Sequence, residues 1–260
     1  MYFVIDRLAV NVFPTREELG KAAGRAAAEA IRQTIARRGE ARVIFAAAPS
    51  QNETLETLRR ESGIDWTKVT ALHMDEYIGL PAGSPARFAS SLNEHIFRYL
   101  PFKEVFLLDD PTLPLDRDAA VARYKKIIAD GPIDVVCMGI GENGHIAFND
   151  PAVARFDDPE SVKIVDLDDI CRTQQVHDGC FPTLDDVPRQ AITLTVPTLF
   201  SGAALVCAVP GATKRAAVRQ TLTGPVDETC PATILRTHPN AALFVDIDSC
   251  DVSAEECRAS

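Results

Sequence analysis

Three glycines and a histidine follow an apolar run near the middle of the chain. Residues 135 to 151 read VVCMGIGENGHIAFNDP, so His145 comes shortly after Gly139, Gly141 and Gly144. Glycine lets the backbone approach a ligand more closely than a residue with a side chain would. An imidazole takes up and releases protons near neutral pH, as general acid–base catalysis requires. The segment predicts an active site in which His145 transfers protons, with a purely structural histidine as the alternative.

Asn143 and Asp150 flank this histidine. A histidine that acts as an acid or a base usually needs an acceptor that fixes its tautomer and stabilises the imidazolium. Asp150 can supply a negative charge, whereas Asn143 can supply only a dipole. The run Asn149-Asp150-Pro151 is also typical of an ordinary turn. We expect Asn143 and Asp150 to orient His145.

Asp75 and Glu76 follow a second apolar run, from Lys68 to Met74. Acidic side chains at the mouth of a buried strand are costly to leave unpaired, and such groups often serve chemistry. Ligands of parallel sheets bind beyond the carboxyl ends of the strands, which is where Asp75 would lie. The sequence predicts that Asp75 is a general base. It does not establish how the roles are divided between Asp75 and Glu76.

Two predicted helix starts could hold an anion. Lys214 follows Pro210-Gly211-Ala212-Thr213, and another helix begins in the polar segment Ser50 to Thr54. Free backbone N–H groups and the helix dipole favour a negative charge at such positions. Together with the lysine, they predict a clamp for a phosphate monoester.

Other chemistries fit the sequence less well. The spacing of Gly139, Gly141 and Gly144 matches the dinucleotide fingerprint, but that fingerprint opens a long helix, which Pro151 interrupts. The sequence contains no P-loop motif, no G-x-S-x-G and no His/Cys/Asp cluster with metal spacing. It therefore predicts no metal and no cofactor.

The elements that position these residues alternate between strand and helix. Strands are predicted at Tyr2 to Val12, Arg42 to Ala48, Lys68 to Met74, Val105 to Leu108, Ile133 to Met138, Val162 to Val165, Ala191 to Val196, Ala203 to Val209 and Ala241 to Ile247. Helices are predicted from Pro14 to Arg38, from the polar segment Ser50 to Thr54 up to Ser62, from Ser84 to Tyr99, from Asp116 to Ala129 and from Gly211 to Leu222.

This alternation predicts an α/β fold with a doubly wound, mostly parallel sheet and helices on both faces, a Rossmann-like arrangement of three layers. Residues 1 to 260 are predicted to form a single domain. The strand ends after Ala48, Met74, Met138 and Val209 carry the polar residues of interest. Asp166 to Arg189 is the least regular stretch and is predicted to be a lid.

Composition narrows the possible partners. A net charge of −10 and a pI near 5.0 disfavour nucleic acid and anionic membranes as partners. Seven cysteines without a C-x-x-C pair indicate a reducing compartment. The N-terminal apolar run carries charges and is typical of neither a signal peptide nor a membrane span. We expect a cytoplasmic protein that binds a small molecule, and a homo-oligomer is compatible with the sequence.

Two long motifs resemble those of the glucosamine-6-phosphate deaminase family, which is related to the 6-phosphogluconolactonases. They are LHMDEYIGL from Leu72 to Leu80 and GIGENGHIAFNDP from Gly139 to Pro151. Weaker family motifs fall at Thr193 to Val196, Pro210 to Lys214 and Thr237 to Pro239. The resemblance covers essentially the whole chain.

The resemblance implies conversion of glucosamine 6-phosphate into fructose 6-phosphate and ammonia, without a metal or an organic cofactor. It implies that His145 opens the sugar ring and that Asp75 moves a proton between C2 and C1. The catalytic residues would be Asp75, His145, Asn143 and Asp150. The residues that bind substrate or phosphate would be Ser50, Gln51, Asn52, Thr54, Glu76, Gly141, Arg172 and Lys214.

Three positions depart from the family pattern. The family usually has aspartate at the position of Asn143, glutamate at that of Asp150, and a Gly-Gly-Thr phosphate loop where this chain has Pro49 to Glu53. Two rivals therefore stay open. A 6-phosphogluconolactonase would use the histidine for hydrolysis, although its turn typically continues His-Thr-Ala-Ser. A sugar-phosphate-binding regulator would keep the pocket, and asparagine at position 143 would be the cause of its reduced turnover.

Overall fold

The computed structural model describes residues 1–109 and 116–252. In these residues the strands are β1 (Tyr2–Ile5), β2 (Leu8–Phe13), β3 (Ala41–Phe45), β4 (Val69–His73), β5 (Asp75–Tyr77), β6 (Glu104–Phe106), β7 (Val135–Met138), β8 (Val162–Asp166), β9 (Gln190–Leu194), β10 (Ala204–Val209) and β11 (Ala241–Asp246). The α-helices are α1 (Arg16–Arg38), α2 (Asn52–Arg60), α3 (Phe88–His95), α4 (Arg117–Ala129), α5 (Asp169–His177), α6 (Val196–Phe200) and α7 (Arg215–Thr223).

The central sheet has eight strands in the order β1-β2-β11-β10-β7-β3-β4-β6. Every neighbouring pair in it is parallel except β1 with β2. The predicted α/β class with a mostly parallel sheet is therefore confirmed. The four strand ends that carry polar residues belong to β10, β7, β3 and β4, which are consecutive in the sheet.

Apolar side chains fill both faces of this sheet. On one face Val43 and Phe45 of β3 pack in a cluster with Leu19 and Ile31 of α1. On the other face Ile44 of the same strand belongs to a cluster that also contains side chains of α4 and α7. Because successive residues of a strand point to opposite faces, one continuous apolar strand contributes to both layers. This arrangement confirms the three-layer prediction.

Helix α1 has the ends that its sequence predicts. The Thr15 hydroxyl accepts a hydrogen bond from the Glu18 N–H at 3.2 Å, and Gly39 ends the helix with a φ of 84°. Helix α2 packs tightly on α1, since a Cβ added at Gly20 would lie 2.3 Å from the Cβ of Glu53. This close contact fixes the position of the segment that leads from β3 into α2.

Three predicted strands behave differently from the prediction. The run from Tyr2 to Val12 is a hairpin of β1 and β2 with Asp6 in the left-handed region at φ 52°, a conformation that aspartate tolerates. Strands β8 and β9 join β5 in a separate antiparallel sheet, in the order β5-β9-β8. The chain leaves the parallel sheet at Met74, whose carbonyl accepts the Leu194 N–H at 3.1 Å.

Two helical regions also differ from the prediction. Helix α3 begins at Phe88, not near Ser84, because the Glu76 carboxylate accepts the first free N–H groups at Phe88 and Ala89. Residues 166–189 are more regular than predicted, since they contain α5 and a short 3-10 helix at Leu184–Asp186. Whether this segment closes as a lid stays a prediction.

No helix in the described ranges is long and apolar enough to cross a membrane.

Candidate active site

A cleft opens beyond the ends of β10, β7, β3 and β4. Its position agrees with the rule that ligands of parallel sheets bind at the carboxyl ends of the strands. Phe88 and Phe148 form part of its wall and stack with their ring centroids 5.6 Å apart. The polar side chains that line it belong to Ser50, Gln51, Asp75, His145, Gln174, Gln175 and Lys214.

His145 folds back over Gly141. The Gly141 N–H donates to the His145 carbonyl at 2.9 Å, and a Cβ added at Gly141 would lie 2.2 Å from the imidazole ring. A side chain at position 141 would therefore occupy the space of the ring. Gly141 lines the cleft, as its predicted binding role requires, but its absent side chain primarily makes room for the histidine.

Asp150 is the acidic partner of His145. His145 Nδ1 lies 2.8 Å from Asp150 Oδ1, and both side chains are almost fully buried. Burial tends to raise the pKa of Asp150, but the hydrogen bond and charge of His145 and the Asn143 amide outweigh it and lower that pKa. The carboxylate therefore stays ionised beside the imidazole, as a residue that orients and steadies a catalytic histidine should. The predicted pair of His145 and Asp150 is brought together.

Asn143 connects three groups. Its Oδ1 accepts the backbone N–H of His145 at 3.1 Å, and its Nδ2 donates to Asp150 Oδ1 at 2.9 Å. The same Nδ2 donates to Asp168 Oδ2 at 3.2 Å. Asn143 thus takes the predicted position next to His145. Asp168 is a functional candidate that the sequence reasoning missed, because its only local signal is that of a helix cap.

Asp75 points into the cleft from the start of β5. Asp75 is only 6% exposed. Burial, and secondarily the nearby Glu76 carboxyl, raises the pKa of Asp75 well above its ordinary value. A carboxylate with a raised pKa is a stronger base than an exposed one, so Asp75 is suited to remove a proton from carbon.

Glu76, predicted to bind the substrate, points to the other side of the strand. Its carboxylate accepts the N–H groups of Tyr77, Phe88 and Ala89 at 2.9, 3.1 and 2.9 Å. It is fully buried and does not line the cleft. Successive residues of a strand face opposite sides, so only one of the two acids can reach the ligand. The structure therefore separates the roles of Asp75 and Glu76, and Glu76 caps α3.

Lys214 supplies a cation to the cleft. Its Nζ is buried and has no hydrogen-bond partner among the described residues. Burial lowers the pKa of this lysine, although Asp178 and Glu142 act in the opposite direction. An unpartnered buried ammonium is costly unless an anion joins it. Lys214 is therefore suited to bind a phosphate.

The segment after β3 contributes two of its four predicted residues to the cleft. Gln51 is buried and donates through Nε2 to the Ala208 carbonyl at 3.0 Å and to Ser50 Oγ at 3.2 Å. Ser50 and Gln51 line the cleft, whereas Asn52 and Thr54 lie within α2 and do not. The prediction for Asn52 and Thr54 is not supported, because the segment turns into its helix before reaching them.

Two charged side chains near this region face elsewhere. Glu53 pairs with Arg16 at 2.8 Å, so its charge is directed away from a bound anion. Arg172, predicted to hold phosphate, does not line the cleft. Its guanidinium donates to the carbonyls of Leu184 and Val187 at 2.6 and 3.2 Å. Arg172 thus holds together the segment from 166 to 189, and its role in holding phosphate stays a prediction.

Helix α5 covers one side of the cleft. Gln174 and Gln175 line the cleft, and Gln174 Oε1 accepts the Glu142 N–H at 2.7 Å. No sequence motif marks either glutamine, so neither could be predicted to line the site. The predicted lid segment therefore already contributes to the site through its helix.

One cluster of metal-binding residue types occurs among the described residues. Ligand atoms of His145, Asp150 and Cys171 lie within 4.8 Å of one another. Burial, followed by the charges of Asp150 and Asp168, raises the pKa of the Cys171 thiol well above its ordinary value. That thiol stays protonated and can donate to Asp150, which already faces His145. The three residues are distant in sequence, so motif spacing could not predict their approach.

Comparison with known proteins identifies the family. Residues 14–244 match the family model of glucosamine-6-phosphate isomerases/6-phosphogluconolactonase. A glucosamine-6-phosphate deaminase of Leuconostoc citreum is 37% identical over 189 residues, which are 72% of this chain and 77% of the relative. A solved monomeric glucosamine-6-phosphate deaminase superposes with a TM-score of 0.83 at 27% identity, covering 92% of this chain and 98% of that one.

A 6-phosphogluconolactonase of Shewanella baltica superposes with a TM-score of 0.74, covering 94% of this chain and 99% of that one. Its sequence identity is 17%, so this likeness concerns the fold alone. The family match and the identity to the curated deaminase extend over most of the chain. The chain belongs to the glucosamine-6-phosphate isomerase/6-phosphogluconolactonase family.

Proposed function

We propose that this protein is a glucosamine-6-phosphate deaminase that converts glucosamine 6-phosphate and water into fructose 6-phosphate and ammonia. The observation that carries the proposal is the convergence of Asp75, His145 and Lys214 on one cleft. These residues supply a base with a raised pKa, a histidine with an ionised partner, and an unpartnered cation. A phosphorylated sugar that must lose a proton from carbon needs all three.

Phosphate binding would position the substrate. Lys214 would pair with the phosphate, and Ser50 and Gln51 would offer polar groups beside it. The anionic oxygens of the phosphate would give the Lys214 ammonium the hydrogen-bond partner that it lacks in the structure. Binding energy gained at this remote group would hold C2 of the sugar against Asp75, which reduces the entropic cost of the reaction.

His145 would act in ring opening. A proton must leave the C1 hydroxyl and another must reach the ring oxygen, so a single imidazole can pass the proton between them. His145 Nδ1 lies 2.8 Å from Asp150 Oδ1, so Nε2 would be the nitrogen that carries the proton. Asp150 would stabilise the imidazolium that forms while the proton is in transit.

Asp75 would act in the isomerisation. It would remove the C2 proton to give an enolamine, and it would return that proton to C1 to give an iminium at C2. Water then adds to C2, and the carbinolamine expels ammonia to leave the ketone. The same carboxyl serves as base and then as acid, which agrees with a pKa that burial raises above its ordinary value.

The two rivals are less well supported. The likeness to lactonases reaches only the fold, whereas the deaminase relative is 37% identical. In a regulator that had lost turnover through Asn143, we would expect this residue to make no contact with the catalytic groups. Asn143 instead donates to Asp150 and accepts the N–H of His145, which supports an enzyme adapted to asparagine.

The test is ammonia release from glucosamine 6-phosphate, with fructose 6-phosphate measured in parallel. We expect turnover in the wild type, its loss in His145→Ala, and its retention in His95→Ala, which changes a histidine outside the cleft lining. Hydrolysis of 6-phosphogluconolactone without ammonia release would favour the lactonase. Thermal stabilisation by the sugar phosphate with no turnover of either substrate would favour the regulator.

We further infer a single cytoplasmic domain without nucleic-acid partners. The six cysteines in the described residues are free, which supports a reducing compartment. The net charge of −10 disfavours polyanions. Subcellular fractionation and limited proteolysis of the whole chain test the location and the domain count.

A further inference from the structure

We propose that Asp168, at the start of α5, is a positioning residue that orients His145 through Asn143. The proposal rests on the proposed function, in which His145 transfers protons. Asp168 is partly buried and does not line the cleft, so it acts on the substrate only through other residues.

The two carboxylate oxygens of Asp168 have different partners. Oδ1 accepts the Cys171 N–H at 2.6 Å and thereby caps α5. Oδ2 accepts from Asn143 Nδ2 at 3.2 Å. A cap needs only one acceptor oxygen, which serine and threonine also provide. The second oxygen is therefore available to orient the amide of Asn143.

This second contact fixes which way Asn143 points. The amide has two N–H groups, and two carboxylates, Asp150 and Asp168, accept from its nitrogen. Its oxygen is left for the backbone N–H of His145. A rotated amide would present its oxygen to two negative charges, which is strongly unfavourable. Asp168 thus holds Asn143 in the orientation that keeps Asp150 and His145 in place.

The contact also connects α5 with the catalytic turn. Gln174 and Gln175 of α5 line the cleft, and Gln174 accepts the Glu142 N–H beside Asn143. The helix is therefore joined to the turn at its capping residue and again nearly two turns further on, at Gln174. When α5 packs in its observed position, Asp168 contacts Asn143. The same helix therefore covers one side of the cleft and helps to orient His145.

Asp168→Ser separates the two contacts, because a serine hydroxyl keeps the cap but has no second oxygen for Asn143. We expect kcat to fall about tenfold, within the range of couplings between residues of one hydrogen-bond network, while KM changes little. Asp116→Ser is the matched control, since Asp116 caps α4 by accepting the Ala119 N–H at 2.8 Å. A rise in KM with unchanged kcat would indicate that Asp168 only seats α5, and would overturn the proposal.

A second substitution makes the test independent of the cap. Asn143→Asp places a carboxylate against Asp150 and Asp168, and we expect it to lower kcat by about a hundredfold through like-charge repulsion. Asn143→Asp combined with Asp168→Ser should recover about tenfold, because the hydroxyl can donate to the new carboxylate and still accept the Cys171 N–H. A double variant about tenfold slower than Asn143→Asp alone, as two independent losses would give, would overturn the proposed coupling.

A measurement without turnover separates this proposal from the proposed function. The ¹H–¹⁵N spectrum of the histidine rings, with His145 identified from the His145→Ala spectrum, reports the environment of Nδ1, which lies 2.8 Å from Asp150 Oδ1. We expect Asp168→Ser to shift this signal and Asp116→Ser to leave it unchanged. An unshifted signal overturns the role of Asp168, whereas absent ammonia release from the wild type overturns the deaminase.

Discussion

Replacing Gly141 by alanine tests whether the glycine at this position exists for the histidine. The added Cβ would lie 2.2 Å from Cε1 and Nε2 of His145 and 2.4 Å from its Nδ1. Ordinary contacts of a Cβ begin near 3.4 Å. The ring must therefore move by about 1 Å, since the backbone at 141 is held by its hydrogen bond to the His145 carbonyl.

This displacement has a calculable consequence for the reaction. A movement of about 1 Å separates Nδ1 from Asp150, which now lies 2.8 Å away. Misplacement of a catalytic group by about 1 Å can cost about a hundredfold in rate. The overpacking itself costs about 1–3 kcal/mol, which is less than the stability of a typical domain. We therefore expect Gly141→Ala to fold and to lose at least about a hundredfold in kcat.

The assay is steady-state ammonia release, with a thermal melt of each variant to show that it is folded. Gly83→Ala is the matched control, because no atom lies within 4 Å of a Cβ added there. It should keep the wild-type kcat. A folded Gly141→Ala variant whose kcat stays within about threefold of the wild type would refute the reasoning that the His145 ring fills this space.

Four further predictions concern charged groups in the cleft and next to it. Lys214→Met should raise KM for glucosamine 6-phosphate by at least about tenfold, as expected for a lost phosphate contact, whereas Lys21→Met on the surface of α1 should not; initial rates at varied substrate measure both. Asp75→Asn should abolish exchange of the C2 proton with D₂O, detected by NMR, and retained exchange would remove Asp75 as the base. Because burial raises the pKa of Asp75 above that of an ordinary carboxyl, the unfolded chain releases this proton first as pH rises, and the wild type loses stability. Asp75→Asn should therefore melt higher than the wild type at pH 8, and the difference should vanish as pH falls below the ordinary carboxyl range. Asp150→Asn should lower kcat by at least about a hundredfold with little change in KM, since His145 loses its charged partner.

The location of the site could be predicted from the sequence because parallel sheets bring strand ends to one edge. Asp75, His145 and Lys214 are distant in sequence, yet each follows an apolar run, and all three line the cleft. The apolar runs after which they stand correspond to β4, β7 and β10. The rule needs no knowledge of side-chain contacts, which explains why it succeeds here.

Side-chain direction was harder to predict than location. Glu76 and Arg172 stand close in sequence to cleft residues, but Glu76 caps α3 and Arg172 binds carbonyls of its own segment. The direction of each side chain depends on elements from elsewhere in the chain that pack against it. Asp168 is the converse case, because its local pattern is an ordinary cap while its second oxygen reaches Asn143, 25 residues away.

The three glycines of the central turn show how one spacing can answer different physical demands. In a dinucleotide site the glycines admit a pyrophosphate and open a long helix. Here a Cβ at Gly139 would lie 2.9 Å from Gln51 Nε2, and one at Gly141 would meet His145. A Cβ at Gly144 would lie 2.4 Å from Cys230 Sγ, and its φ is 83°. All three glycines therefore make room for side chains of the protein itself, and the turn is built around its histidine.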